Sequence, residues 1–277
     1  MVTLRNRKLV LEFEPECGGK WHSLRDIRND REWFWRNPYL PRTPLRYGDS
    51  FIGKLDTGGW DEIFPSVLPA GVIPDHGDLV QLPWRVDRMG ADRLTLSVEG
   101  RCFPFRFERT VWISESRIHC EYRLENTGEA AFPWLWCAHP LLPFLPDLSL
   151  EVTGEFDVLS AMGAAEPLAG KCVGWDALPS REEKWAVKLF SRRHAVNQVT
   201  AWQADGSGLR IEWDAQEIPY LGLWVNNGAW SGCGSEPYFN IGIEPAMLPV
   251  DDLSAVENPP VLKSGEGAGW SLDISLL

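Results

Sequence analysis

Apolar and polar residues alternate with a period of two along much of this chain. Ile118, Cys120, Tyr122 and Leu124 interleave with His119, Glu121, Arg123 and Glu125. Leu94, Leu96 and Val98 interleave with Arg93, Thr95 and Ser97, and Leu9, Leu11 and Phe13 repeat the pattern near the start. Trp270, Leu272, Ile274 and Leu276 close the chain in the same way. Successive side chains of a strand point to opposite faces, so each run reads as a strand with one face buried. Helical periodicity is weak, and 21 prolines interrupt most windows long enough for a helix. Only Ser180–Trp185 reads as a single helical turn.

Turn signals punctuate the runs. Asn126-Thr127-Gly128 ends one strand, and Asp205-Gly206-Ser207-Gly208 joins Gln198–Gln203 to Leu209–Trp213 as a hairpin. Lys263-Ser264-Gly265-Glu266-Gly267 precedes the last run. Many strands with few helices predict an all-β chain, a large antiparallel β-sandwich. At 277 residues the chain is long enough for two average domains, but no composition shift marks a linker. Residues 1–277 are therefore read as a single domain.

Charge narrows the partners. With 27 Lys+Arg against 39 Asp+Glu, the net charge is -12, and such a surface repels a polyanion. No nucleic-acid partner is expected. The most apolar window, Phe132 to Pro146, holds four prolines and a histidine, too broken for a bilayer span. The first twenty residues lack the apolar core of a secretory signal, so a cytoplasmic protein without a membrane partner is expected, as a monomer or homodimer. The six cysteines are scattered with no CxxC pair and read as reduced thiols. A zinc set of His119, Cys120, Cys137 and His139 has no ligand spacing behind it. Neither a metal nor a cofactor is expected, because no P-loop, HExxH or GxSxG sequence occurs. Gly265-Glu266-Gly267-Ala268-Gly269 precedes a strand and does not open a helix, so it is no dinucleotide fingerprint.

The 15 tryptophans put carbohydrate among the candidate ligands, since indole rings in open clefts stack on the apolar faces of sugars. Two polar residues stand in apolar contexts. His139 follows Trp134-Leu135-Trp136-Cys137-Ala138 and precedes Pro140; the plain alternative is a satisfied core histidine. Glu244 sits in Ile241-Gly242-Ile243-Glu244-Pro245, sharing a face with Gly242, and is a candidate general base or half of a structural ion pair. His76 lies between Asp75 and Gly77-Asp78, and Trp60-Asp61-Glu62 follows a Gly-Gly turn, where a loop acid is commonly solvated. A carboxylate and an imidazole on a Trp-rich sandwich suit acid/base chemistry at the anomeric carbon of a sugar.

The order of several segments resembles the aldose 1-epimerase, or galactose mutarotase-like, family. Tyr220-Leu221-Gly222-Leu223-Trp224-Val225-Asn226-Asn227 is followed by Gly242-Ile243-Glu244-Pro245, Asn258-Pro259-Pro260 and Leu262-Lys263-Ser264-Gly265-Glu266. Ala138-His139-Pro140 and the series Gly58-Gly59, Pro65, His76-Gly77, Pro83-Trp84 complete the match. The last series is similar to the hexose-6-phosphate epimerase-like branch. The resemblance implies Glu244 as general base on the C1 hydroxyl and His139 as general acid at the ring oxygen. His76 would steady charge at that oxygen, with Asp61, Trp60 and Trp224 at the sugar. It also implies an acidic sugar contact between His139 and Glu244 in the chain, for which Asp176 and Glu183 both qualify. Where the phosphate branch carries an arginine after His-Gly, this chain has Asp78-Leu79-Val80-Gln81, which favours a free aldose unless Arg46 or Lys54 substitutes. A non-catalytic sugar-binding protein, a hexose-6-phosphate 1-epimerase and a glycosidase using Glu244 with Asp61 are the alternatives.

Overall fold

The computed structural model describes residues 1–41, 46–234 and 236–277. Two large sheets dominate them, and every ladder between their strands is antiparallel. The eleven-stranded sheet runs in space from Val2–Arg5 through Leu9–Glu14, Lys20–Asp26, Trp60–Ile63 and Cys137–Pro143 to Phe239–Ala246. It continues through Tyr220–Asn227, Trp185–Ser191, Glu155–Gly163 and Cys172–Gly174, with Arg31–Glu32 beside Lys20–Asp26. The eight-stranded sheet runs Ser149–Glu151, Gln198–Trp202, Gly208–Trp213, Gly267–Leu276, Arg117–Asn126, Phe105–Ser114, Arg93–Glu99, Arg85–Met89. The all-β antiparallel sandwich expected from the alternation is the observed fold.

The alternating residues occupy the faces their period assigns. Ile118, Cys120, Tyr122, Leu272, Ile274 and Ile211 of the second sheet are fully buried. They share one core with Leu11, Leu24, Leu142, Ile241, Ile243, Leu223 and Leu189 of the first. The turn residues bond as their chemistry predicts. Asn126 Oδ1 accepts from Gly128 N at 2.9 Å, and Glu266 Oε2 accepts from Lys263 N at 2.9 Å. The hairpin pairs Gln198–Trp202 with Gly208–Trp213. Ser180–Trp185 forms no helical turn: a bonded turn from Ser180 to Glu183 leads straight into the strand Trp185–Ser191.

A polar knot crosses the sandwich. Arg109 of the second sheet and Glu62 of the first are both fully buried and paired at 3.0 Å. Glu62 also accepts from Tyr122 Oη at 3.0 Å and Trp136 Nε1 at 3.1 Å, while Arg109 donates to Gly19 O. The guanidinium lies 4.9 Å from the ring of Trp84 and 5.3 Å from that of Trp21. Burial pushes the Glu62 carboxyl up to about 7 against the pull of Arg109.

Candidate active site

Strand register, more than chain proximity, assembles the site. Alternation turns Ile241 and Ile243 into the core and leaves Gly242 and Glu244 on the outer face of the first sheet. Asp61 pairs with His139, and Glu244 with Gly222, in the ladders on either side. Between them, Cys137 faces Ala246 and Leu141 faces Gly242, which brings His139 level with Glu244. Asp61, His139, Glu244 and Gly222 thus form one row across four strands. The next row holds Leu141, Gly242, Trp224 and Lys188.

The two glycines keep this face open. A Cβ on Gly222 would stand 2.9 Å from the Phe190 ring and 3.3 Å from Glu244 Oε2. One on Gly242 would stand 2.9 Å from Glu244 Oε1. Across this gap Lys188 reaches diagonally to Glu244 Oε2, and its Nζ lies 3.3 Å from Asp251 Oδ1. The other carboxylate oxygen, Oε1, makes no hydrogen bond within the protein and lies 3.7 Å from His139 Nε2. Glu244 is 1% exposed. Burial would lower the Lys188 ammonium, but Glu244 and Asp251 outweigh it and hold its pKa above the ordinary lysine value.

Loops roof the row to give a pocket of about 240 Å³. Phe51 and Ile52 belong to the π-helical turn Phe51–Leu55, which Asp56 caps; Val67, Leu68 and His76 come from a loop, and Trp230 and Asp251 from two more. His76 (φ 59°) and Gly77 (φ 74°) adopt successive left-handed conformations, and a Cβ on Gly77 would strike Phe64 O. That turn stacks the His76 ring on Phe51 at 3.7 Å, edge-on to His139 at 6.2 Å. His76 Nδ1 is bonded to Asp75 Oδ1 at 2.8 Å, and Asp75 Oδ2 accepts from Phe51 N at 2.8 Å. His139 is enclosed. Burial, then the neighbouring His76 and Lys188, lower its pKa to about 3, so the imidazole is neutral.

Glu244, His139, His76 and Trp224 line this pocket together. Trp60 does not. It lies inside the core, stacked on Trp21 at 4.7 Å, because Trp60 and Glu62 take the inward positions of their strand. Asp61 points to the pocket side but is 2% exposed, in a strand and not a solvated loop. Lys20 Nζ holds its Oδ2 at 2.5 Å, beneath the lining residues. Asp176 and Glu183 are exposed and away from the pocket. Where an acidic contact was expected between His139 and Glu244, the chain presents Lys188. Arg46 and Lys54 are not lining residues either, and Lys54 pairs with Asp49 at 2.9 Å.

Sequence reasoning passed over Lys188, Asp56 and Asp251. Lys188 did carry a signal, as the one charge in the otherwise apolar run Trp185-Ala186-Val187-Lys188-Leu189-Phe190. The zinc set is dispersed: His119 bonds Asp273 on the second sheet, Cys120 faces the core, and Cys137 and His139 lie on the first sheet. Among the described residues no cluster of three metal-ligating side chains occurs, and no helix is long and apolar enough to cross a membrane.

No protein-family model and no curated protein matches the sequence. Solved structures do match in shape. The Slr1438 protein of Synechocystis sp. PCC 6803 superposes with a TM-score of 0.72 at 15% identity, over 99% of this chain and 94% of that one. A galactose mutarotase-like protein from Clostridium acetobutylicum gives 0.70 at 14% identity, over 99% and 94%. A galactose mutarotase related enzyme from Lactobacillus acidophilus gives 0.68 at 13% identity, over 100% and 97%. The chain has the galactose mutarotase-like fold.

Proposed function

We propose that the protein interconverts the α and β anomers of a free aldose by acid/base ring opening, as an aldose 1-epimerase does. One observation carries the reading. Glu244 Oε1 and His139 Nε2 face each other at 3.7 Å on the floor of a pocket walled by Trp224 and Trp230. A hydroxyl entering there finds a carboxylate oxygen whose hydrogen-bonding capacity is unspent.

Glu244 takes the C1 hydroxyl proton on Oε1, the oxygen that Lys188 leaves free. Electrons move into the C1–O1 bond, the bond from C1 to the ring oxygen breaks, and C1 turns about its bond to C2. Closure on the other face reverses each transfer. His139 is the acid at the ring oxygen: it is neutral at rest, and its imidazolium is a scarce but strong donor that protonates O5 as the C1–O5 bond breaks and recovers the proton on closure. His76 lies beside it, oriented through Asp75. Structural neighbours named as galactose mutarotase-like or related support this reading through the shared fold.

A non-catalytic sugar-binding protein is the second reading, favoured by the Lys188–Glu244 ion pair, which gives the carboxylate a structural partner. The glycosidase pairing of Glu244 with Asp61 loses support because Lys20 engages Asp61 below the pocket. Exchange NMR on a panel of free aldoses and their 6-phosphates separates the readings. Enzyme-driven exchange between anomeric signals, abolished by Glu244→Gln, is the expected result. Ligand shifts without exchange would establish the binding protein instead.

A further inference from the structure

We propose that Asn240 recognises the sugar hydroxyl opposite the anomeric carbon, at C4 of an aldohexopyranose, and so sets which aldose the pocket accepts. The inference rests on the anomer-interconversion reading above and deepens it.

The pocket offers a ligand hydrogen-bond acceptors. Glu244 Oε1, Asp56 Oδ1 and Asn240 Oδ1 are buried atoms of lining residues, without a hydrogen-bond partner among the described residues. The lining ammonium is engaged, since Lys188 bonds Glu244 and lies 3.3 Å from Asp251. A molecule rich in O–H groups suits such a site better than an anion does.

Asn240 is 1% exposed on the strand Phe239–Ala246, on the same outer face as Gly242 and Glu244. Its cross-strand partner Asn226 gives the contrast. Asn226 spends both ends of its amide on one turn: Nδ2 donates to Trp230 O at 2.9 Å, and Oδ1 accepts from Ala229 N and Trp230 N at 3.2 Å each. That asparagine shapes the Trp230 wall. On its other side Asn240 pairs with Pro143, which has no side-chain donor to offer. A buried amide oxygen left unbonded is costly, and a ligand hydroxyl is the fitting partner.

Register supplies the spacing. Glu244 Oε1 leans back over Gly242, where a Cβ would stand 2.9 Å from it. The same Cβ would lie 3.3 Å from Trp224 Cβ and 3.5 Å from Leu141 Cδ2. The space over Gly242 is thus a slot between Leu141 and Trp224 with the base oxygen at one end. Asn240 stands toward the other end, one same-face step of about 6.5 Å along the strand from Gly242. A pyranose laid in this slot with C1 at Glu244 and its ring oxygen toward His139 presents C4, the ring atom opposite C1, to Asn240. Its C4 hydroxyl then donates to Oδ1.

The test compares glucose, galactose and the 4-deoxy sugar that the two share, by anomer-exchange NMR, with 2-deoxyglucose as the control. Wild type should favour one of the two C4 epimers, and its kcat/KM for the 4-deoxy sugar should lie about 10-fold or more below that for the favoured epimer. This comparison needs no variant. Asn240→Leu should bring kcat/KM for the favoured epimer down to that for the 4-deoxy sugar or below, and leave the ratio of glucose to 2-deoxyglucose as in wild type. Wild-type turnover of the 4-deoxy sugar equal to that of both epimers would overturn the assignment. So would an Asn240→Leu protein that keeps the C4 preference, or one that loses the C2 and C4 preferences together. Any of these, with Glu244→Gln still abolishing exchange, would sink Asn240 and spare the functional reading. No exchange by wild type with any sugar would sink both.

Discussion

His139 and Glu244 stand level on neighbouring antiparallel strands, with Nε2 3.7 Å from Oε1. The remaining atoms of the pair are treated unequally. Glu244 Oε2 is taken by Lys188, whereas His139 Nδ1 is buried without a hydrogen bond. The carboxylate is therefore aimed by a partner and the imidazole by packing. Phe51 lies edge-on to it at 6.1 Å, and Asp61 is its cross-strand neighbour.

This asymmetry sets the first prediction. Glu244→Gln keeps the shape and one hydrogen-bond acceptor but cannot take a proton, so turnover should vanish while sugar still binds. His139→Asn removes only a donor to the ring oxygen, and kcat should fall by about 10²-fold. Single-turnover exchange rates with titrated sugar binding check both. A Glu244→Gln protein that still equilibrates anomers would remove the carboxylate from the chemistry.

Lys188→Met should separate aim from fold. Methionine keeps most of the buried stem but frees Oε2 of Glu244, and the carboxylate loses its fixed orientation. The expected result is a fall in kcat of about 10-fold or more with a smaller change in KM, as orientation in the transition state is lost. Steady-state rates across a sugar series measure it. Unchanged kcat would mean that packing alone aims Glu244.

The knot between Arg109 and Glu62 yields a stability prediction. Arg109→Met strands a buried carboxyl beside Tyr122 and Trp136, with an expected cost of about 3–5 kcal/mol in urea unfolding. Adding Glu62→Leu to that variant removes the stranded group and should restore part of the loss. A double variant less stable than Arg109→Met by the full cost of a second lesion would show that the pair is not coupled.

How far the site could be read from sequence follows from burial. In Ile241-Gly242-Ile243-Glu244 one face is core and the other is pocket, so alternation placed Glu244 correctly. In Trp60-Asp61-Glu62-Ile63 all four residues are buried on both faces, and no polarity contrast tells inward from outward. Trp60, which the resemblance implied at the sugar, packs on Trp21 in the core, and the sequence held no contrast to correct it. Asp56 caps the five-residue turn Phe51–Leu55 and Asp251 lies on a covering loop, both too short to show a period. Only folding brings them over the sheet. The row that joins Asp61, His139, Glu244 and Gly222 spans segments far apart in the chain, and only the ladder register reveals it.

The two tryptophans give a direct contrast. Trp224→Ala should weaken sugar binding and leave thermal stability nearly unchanged, because its ring borders the pocket against Trp230. Trp60→Ala should cost about 3–5 kcal/mol of stability, since it empties a core position. Melting curves and sugar titrations of both variants check this. Loss of binding in a Trp60 variant that melts normally would return Trp60 to the site.

His139 supplies the pH prediction. Its pKa of about 3 lies below the ordinary value of 6.5, and burial is the main cause. The unfolded chain takes up a proton as pH falls through the ordinary value, while the folded chain does not. Stability from this group is therefore fully present above that value and declines as pH drops toward the folded pKa. The slope is at most about 1.4 kcal/mol per pH unit, so roughly 2 kcal/mol should be lost between about pH 6.5 and 5. His139→Gln should lack this loss, and because all other groups are common to both proteins, the difference between their urea-unfolding curves isolates it. Imidazole nitrogen shifts give the matching direct reading, with no titration of His139 above about pH 5. If His139 titrates near its ordinary value, the slope disappears and burial does not hold the imidazole neutral.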